Sequence, residues 1–188
     1  MTMSLRIALL AALGSSSLVV AQAAQPLPAI QLERFHLNEG SRRGLTTATG
    51  DLLPRFGFRP SVALHYENNP LVYLRGDQRV GAVVSDRLTV HLAAVFGITS
   101  WLQVHGELPI IAWQRGDDLT DAARITPPTT TGVGSPRLGA RLGILSQREG
   151  GLASNVGVDL AFQLATVLPF GTPGTLGTEG GFTLLPQL

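Results

Sequence analysis

The chain has 188 residues, with 14 basic residues, all of them arginine, against 13 acidic ones and a formal net charge of +1. That balance leaves no electrostatic footprint for nucleic acid, and the absence of cysteine excludes a disulfide-stapled secreted domain. With 22 glycines and 12 prolines, strands and turns are expected and a helical bundle is not.

The first residues read as an export signal. Arg6 supplies a short positive region, Ile7 to Val20 is largely apolar, and Ala21-Gln22-Ala23 is a small-x-small cleavage site. The apolar part is short for a membrane-spanning helix, so residues 1–23 are assigned as a secretory signal peptide. Beyond it no stretch has the long apolar run that a spanning helix needs. Residues 24–55 form an extended N-terminal segment with a turn at Asn38 to Gly40. Ile30, Leu32 and Phe35 are candidates for a first strand.

From residue 56 to 188 the chain reads as strands. Phe58, Pro60, Val62, Leu64 and Tyr66 take one face and Arg59, Ser61, Ala63 and His65 the other, until ENNP breaks the pattern. Leu71 to Val84 suggests a small hairpin turning at RGDQ within a longer loop. LTVHLAAVFGITSWLQVHGELPI then alternates twice about the turn Gly97 to Ser100. Leu88, Val90, Leu92, Ala94 and Phe96 oppose Arg87, Thr89, His91 and Ala93. Leu102, Val104, Gly106, Leu108 and Ile110 oppose Trp101, Gln103, His105 and Glu107. The period is two, so this is a β-hairpin with an apolar and a polar side.

Gln114 to Gly132 reads as a long polar loop. A strand follows with Leu138, Ala140, Leu142 and Ile144 against Arg137, Gly139, Arg141 and Gly143. SQREGG is a short turn. Ala153 to Leu168 resumes the alternation, with Val158, Leu160, Phe162 and Leu164 opposing Asp159, Ala161 and Gln163. A second long loop follows Pro169, and GFTLLPQL opens another strand.

Two architectures bury one face of such strands: a soluble sandwich against another sheet, or an outer-membrane barrel against lipid. Three features favour the barrel. The segments approach the roughly 9 to 11 residues that cross a bilayer at a tilt. Short turns alternate with long loops. The polar residues Arg59, His65, His91, Gln103, His105, Glu107, Arg137, Arg141, Asp159 and Gln163 share the side opposite the aliphatic ones, as lumen-facing residues would. Tyr66, Phe96, Trp101 and Trp113 stand near strand ends, where interfacial aromatic girdles belong. The expected class is all-β, an antiparallel transmembrane β-barrel, partial or short, behind a signal peptide.

The sequence nominates no catalytic residue, metal ligand or cofactor. His65, His91, His105 and Glu107 share a face but lack a local chelate spacing, so polar packing is the default. Arg-Gly-Asp at 75–77 and again at 115–117 is ordinary turn chemistry. No GxSxG elbow accompanies the Ser, His and Asp residues. The glycines at 132–134 and 171–181 lack a phosphate-loop lysine.

HYENNPLVYLRGDQRVGAVVSDRLTVHLAAVFGITSWLQVHGELPIIAWQRGDD, followed by GVGSPRLGARLGI, resembles the N-terminal barrel region of large OmpA-family outer-membrane proteins of the myxobacterial type. The resemblance covers about Gln31 to Leu188. It implies an outer-membrane barrel, often followed by calcium-binding-like repeats and a C-terminal peptidoglycan-binding domain. The chain departs from the pattern by stopping at Leu188, in what reads as a strand and without a terminal aromatic residue. None of that domain's residues carries over, and a longer product or a truncated relative is expected.

The expected function is non-enzymatic: porin-like passive passage of small solutes, or the structural barrel of an OmpA-like cell-envelope protein. The expected location is the outer membrane of a Gram-negative bacterium. The expected partners are outer-membrane lipid, the barrel assembly machinery and, through a missing C-terminal domain, peptidoglycan. The alternative is a soluble exported β-sandwich interaction module.

Overall fold

A computed structural model describes Leu32, Phe35, Leu37 and residues 50–147, 151–178 and 181–187. The signal peptide and the turn at Asn38 to Gly40 lie outside the described residues. Leu32 and Phe35 are described and belong to no strand, so the first strand expected there is not formed by them.

The strands are β1 (Phe58–Arg75), β2 (Gln78–Gly97), β3 (Leu102–Arg115), β4 (Gly132–Val133), β5 (Arg137–Ser146), β6 (Ala153–Ser154), β7 (Leu160–Val167) and β8 (Thr183–Gln187). Among the described residues a single short helix, α1 (Thr120–Ala123), sits between β3 and β4. All eight strands belong to one curled sheet, with the order β1-β2-β3-β5-β7-β8 and the short β4 and β6 attached to β3 and β5. Every pairing is antiparallel except β5 with β6. The sheet is open: β1 and β8 are its edges, with no pairing between them among the described residues.

Several local expectations need correction. ENNP does not end β1, which continues through a bulge between Asn68 and Leu71. Asn69 takes the left-handed backbone (φ 50) there, and asparagine tolerates that better than most residues. RGDQ is the tip of this same long hairpin, with Arg75 opposite Gln78 and Gly76 at φ +62, and not a hairpin within a loop. Gln114 belongs to β3. The middle of SQREGG, Arg148 to Gly150, lies outside the described residues; the strand expected from Ala153 first runs parallel to the end of β5 at Ala153–Ser154, and the antiparallel β7 starts only at Leu160. Asp159 therefore precedes β7 and carries no face assignment from it.

The register sorts side chains into rows that cross the sheet. Phe58, Phe96 and Val104 are aligned at one level of the outer face, and Tyr66, Leu88 and Trp113 at another. From Leu88 to Phe96 is roughly 27 Å along the strand at the usual rise per residue. Between those levels the outer face carries Val62, Leu64, Val90, Leu92, Leu108, Ile110 and, further along the sheet, Leu138; Leu164 joins the Val104 level, and Leu102 and Phe162 extend the face one row beyond it. Exposure is high, 68% at Val62 and 72% at Leu64. Polarity changes one row above Tyr66, where Asn68, Asp86 and Arg115 align. The Tyr66 hydroxyl and Asn68 Nδ2 both donate to Asp86 Oδ1, and Arg115 Nε donates to Asp86 Oδ2 at 2.7 Å.

At 18 and 20 residues, β1 and β2 run well beyond that row. Their extension is covered by the long loops. Val83, Val84, Leu119, Leu176 and Leu32 make a small core there, with Leu71, Tyr73 and Ile125 packed against it. Asp118 orders the start of the first loop by accepting the Thr120 N–H, and its bonds to Thr120 hold its carboxyl below the usual range.

Candidate functional site: the buried polar face

Because side chains alternate along a strand, the residues between the apolar ones all fall on the other face. That face is buried. Arg87, His91, Gln103 and Gln114 are 0% exposed, and Glu107, His105 and Arg141 are also buried. Burial of so many polar groups is tolerable only where hydrogen bonds replace water.

The first group lies halfway along β2 and β3. His91 Nδ1 donates to Glu107 Oε1 at 2.6 Å, with both side chains withdrawn from solvent. Phe35 wedges against this pair: its ring centroid is 5.3 Å from that of His91 and 4.9 Å from that of His65. His65 and His91 are thus brought together across β1 and β2, at 6.3 Å between centroids.

A second group occupies the row Gln103–Arg141–Gln163 and its neighbour His105–Gly139. Gln103 Oε1 accepts the Leu53 N–H at 3.0 Å, tying the segment before β1 to the inner face. His105 Nε2 stands 3.4 Å from Gln163 Nε2. The His105 ring fills the space over Gly139, where any Cβ would run into it. Arg59 shares the His105 row through Val95, and Arg137 stands opposite Glu107 at the start of β5. Asp159 lies apart and accepts the Gln147 N–H at 2.8 Å.

Sequence reasoning missed a third group. Arg87 donates from Nε to Thr89 Oγ1 at 3.3 Å and lies 3.9 Å from Glu67 Oε2. Gln114, opposite it on β3, bonds to both long loops. Alternation had already put Arg87 on the polar side. Gln114 was hidden because the register shifts between Leu88/Trp113 and Thr89/Ile111, leaving Ala112 as an extra residue.

Neither Arg-Gly-Asp tripeptide is free of the fold. Arg75 donates to the Ala122 carbonyl at 2.7 Å, and Asp117 Oδ2 accepts the Ala82 N–H at 2.7 Å. Among the described residues no group of three or more His, Asp or Glu side chains is arranged to hold a metal ion. None of the described helices is long and apolar enough to cross a membrane, which does not bear on crossing by strands.

No protein-family model matches the chain, and neither does any curated protein or solved structure. The likeness to OmpA-type barrels thus rests on the sequence phrase, beside which stands a curled, open antiparallel sheet.

Proposed function

We propose that the chain supplies wall strands to an outer-membrane β-barrel of a Gram-negative cell envelope, as a structural barrel of the OmpA-like kind. The observation that supports this reading is the contrast between the two faces. The outer side is an apolar band edged by Phe58–Phe96 and Tyr66–Trp113, and the inner side buries Glu107, His91, Gln103 and Arg141. A sheet with one face in water buries the aliphatic side and wets the polar one. Lipid reverses that preference. A filled inner face, with Phe35 and Leu53 lodged against it, favours a structural barrel over solute passage, since narrow barrels are packed and do not conduct freely. Lipid and the barrel assembly machinery are the partners this reading requires, and peptidoglycan enters through a further domain of the resembled type.

The second reading is a soluble exported β-sandwich interaction module, whose second sheet would cover the outer face. Its support is the open edge: an unclosed sheet fits a sandwich better than a closed porin barrel. Pro60 and Pro70 on β1 and Pro186 on β8 suit lasting edges, because proline cannot donate to a neighbouring strand.

Fractionation of a Gram-negative host expressing the protein tests the choice. Recovery in the outer membrane after alkaline washing, with flotation in a lipid gradient, upholds the barrel wall. Release as a soluble periplasmic protein overturns it in favour of the sandwich.

A further inference from the structure

Arg87 and Gln114 are opposite one another on β2 and β3, and both reach out of the sheet into the loops. Gln114 Nε2 donates to the Thr129 carbonyl at 2.6 Å and to the Thr175 carbonyl at 3.0 Å. Arg87 Nη1 donates to the Leu176 carbonyl at 3.2 Å. Thr129 belongs to the loop between β3 and β4, and Thr175 and Leu176 to the loop between β7 and β8. One amide nitrogen carries two donor hydrogens, and here each is spent on a different loop.

The loops are also bonded to each other. The Thr129 N–H donates to the Gly174 carbonyl at 3.0 Å and its hydroxyl to the Pro173 carbonyl at 3.2 Å. The Thr172 N–H donates to the Val133 carbonyl at 2.8 Å, while the Val133 N–H returns a bond to Thr172 Oγ1 at 3.0 Å. The Ser135 N–H donates to the Gly177 carbonyl at 2.7 Å. Packing is equally close, since a Cβ on Gly132 would stand 2.6 Å from Thr175 Cγ2. Ser135 and Thr175 are fully buried in the seam.

We infer that the two loop segments Thr129 to Ser135 and Thr172 to Gly177 are a single lid over this end of the polar face, and that Gln114 is the positioning residue that makes them open together. Under the barrel reading, on which this rests, the lid closes that end of the packed interior. The coupling itself is a property of the protein in any environment.

Gln114→Glu tests it, because the shape is kept while two donors become acceptors facing two carbonyl oxygens. Hydrogen exchange is expected to quicken by about tenfold or more at Thr129, Thr172 and Ser135 together. The turn amides of Ile98 and Thr99, at the other end, should not change. Gly132→Ala, which pushes on Thr175 and leaves the Gln114 donors alone, is expected to loosen the same three amides. Faster exchange in one loop only, or in neither, overturns the coupling. If the protein proves soluble, the exchange experiment still decides the coupling, so failure of the lid and failure of the barrel reading remain distinct.

Discussion

The outer and inner faces of β2 and β3 are built from the same strands, yet they depend on different physics. Leu92 and Phe96 on the outer face are exposed and Leu88 and Val90 half-buried, so under the barrel reading their stabilisation comes from the lipid that covers them. His91, Glu107, Gln103 and Gln114 on the inner face are held by specific bonds within the chain. The outer face should therefore respond to the depth and polarity of its surroundings, and the inner face to the loss of individual atoms.

The largest effect expected is on the inner face. Glu107→Ala leaves His91 buried without its carboxylate partner and should cost roughly 3–5 kcal/mol, measured by urea unfolding. A cost near zero would mean that the inner face is wet and the pair screened. Leu92→Arg comes next. Leu92 is midway between the two aromatic levels, and an arginine at a bilayer midplane costs about 2–4 kcal/mol. Trp113→Arg, at the boundary, should cost about 0–1 kcal/mol by the same depth rule. Equal costs at the two positions in vesicles would argue against lipid as the covering medium. Gly139→Ala should cost about 1–3 kcal/mol by driving a methyl into the His105 ring. Its paired change, His105→Ala, should restore the space. The smallest effect is Tyr66→Phe, which removes the hydroxyl bonded to Asp86 and leaves the ring. Depth-dependent quenching of Trp113 fluorescence should be unchanged; a shift would mean that this row is set by the hydrogen bond and not by lipid.

Which residues share a face was legible in the sequence, because a period of two is a local property of the strand. Leu88 to Phe96 and Leu102 to Ile110 reveal it without reference to anything distant. The length of β1 was not legible, because Asn-Asn-Pro carries the chemistry of a turn while the bulge at Asn69 absorbs it within a continuing strand. The start of β7 was misread for a related reason: alternation at Val156 and Val158 continues into a bend that forms no ladder. The placement of Phe35 between two histidines had no local signal at all. Nor did the loop bonds, which join Gln114 to Thr175 across 61 residues and Arg87 to Leu176 across 89.

Because Gly76 and Asp77 alone separate the facing ends of β1 and β2, this hairpin can zip from its tip with little loop entropy to overcome. The bonds from Gln114 to Thr175 and from Arg87 to Leu176 must wait for β5, β7 and everything between to arrive. The chain is thus expected to assemble in a fixed temporal order, hairpin early and loops last. Pulse-labelled exchange during refolding should find Val90 protected before Thr129 or Ser135. A molecule interrupted midway would carry a finished ribbon and two unfastened loops, vulnerable to trypsin at Arg124.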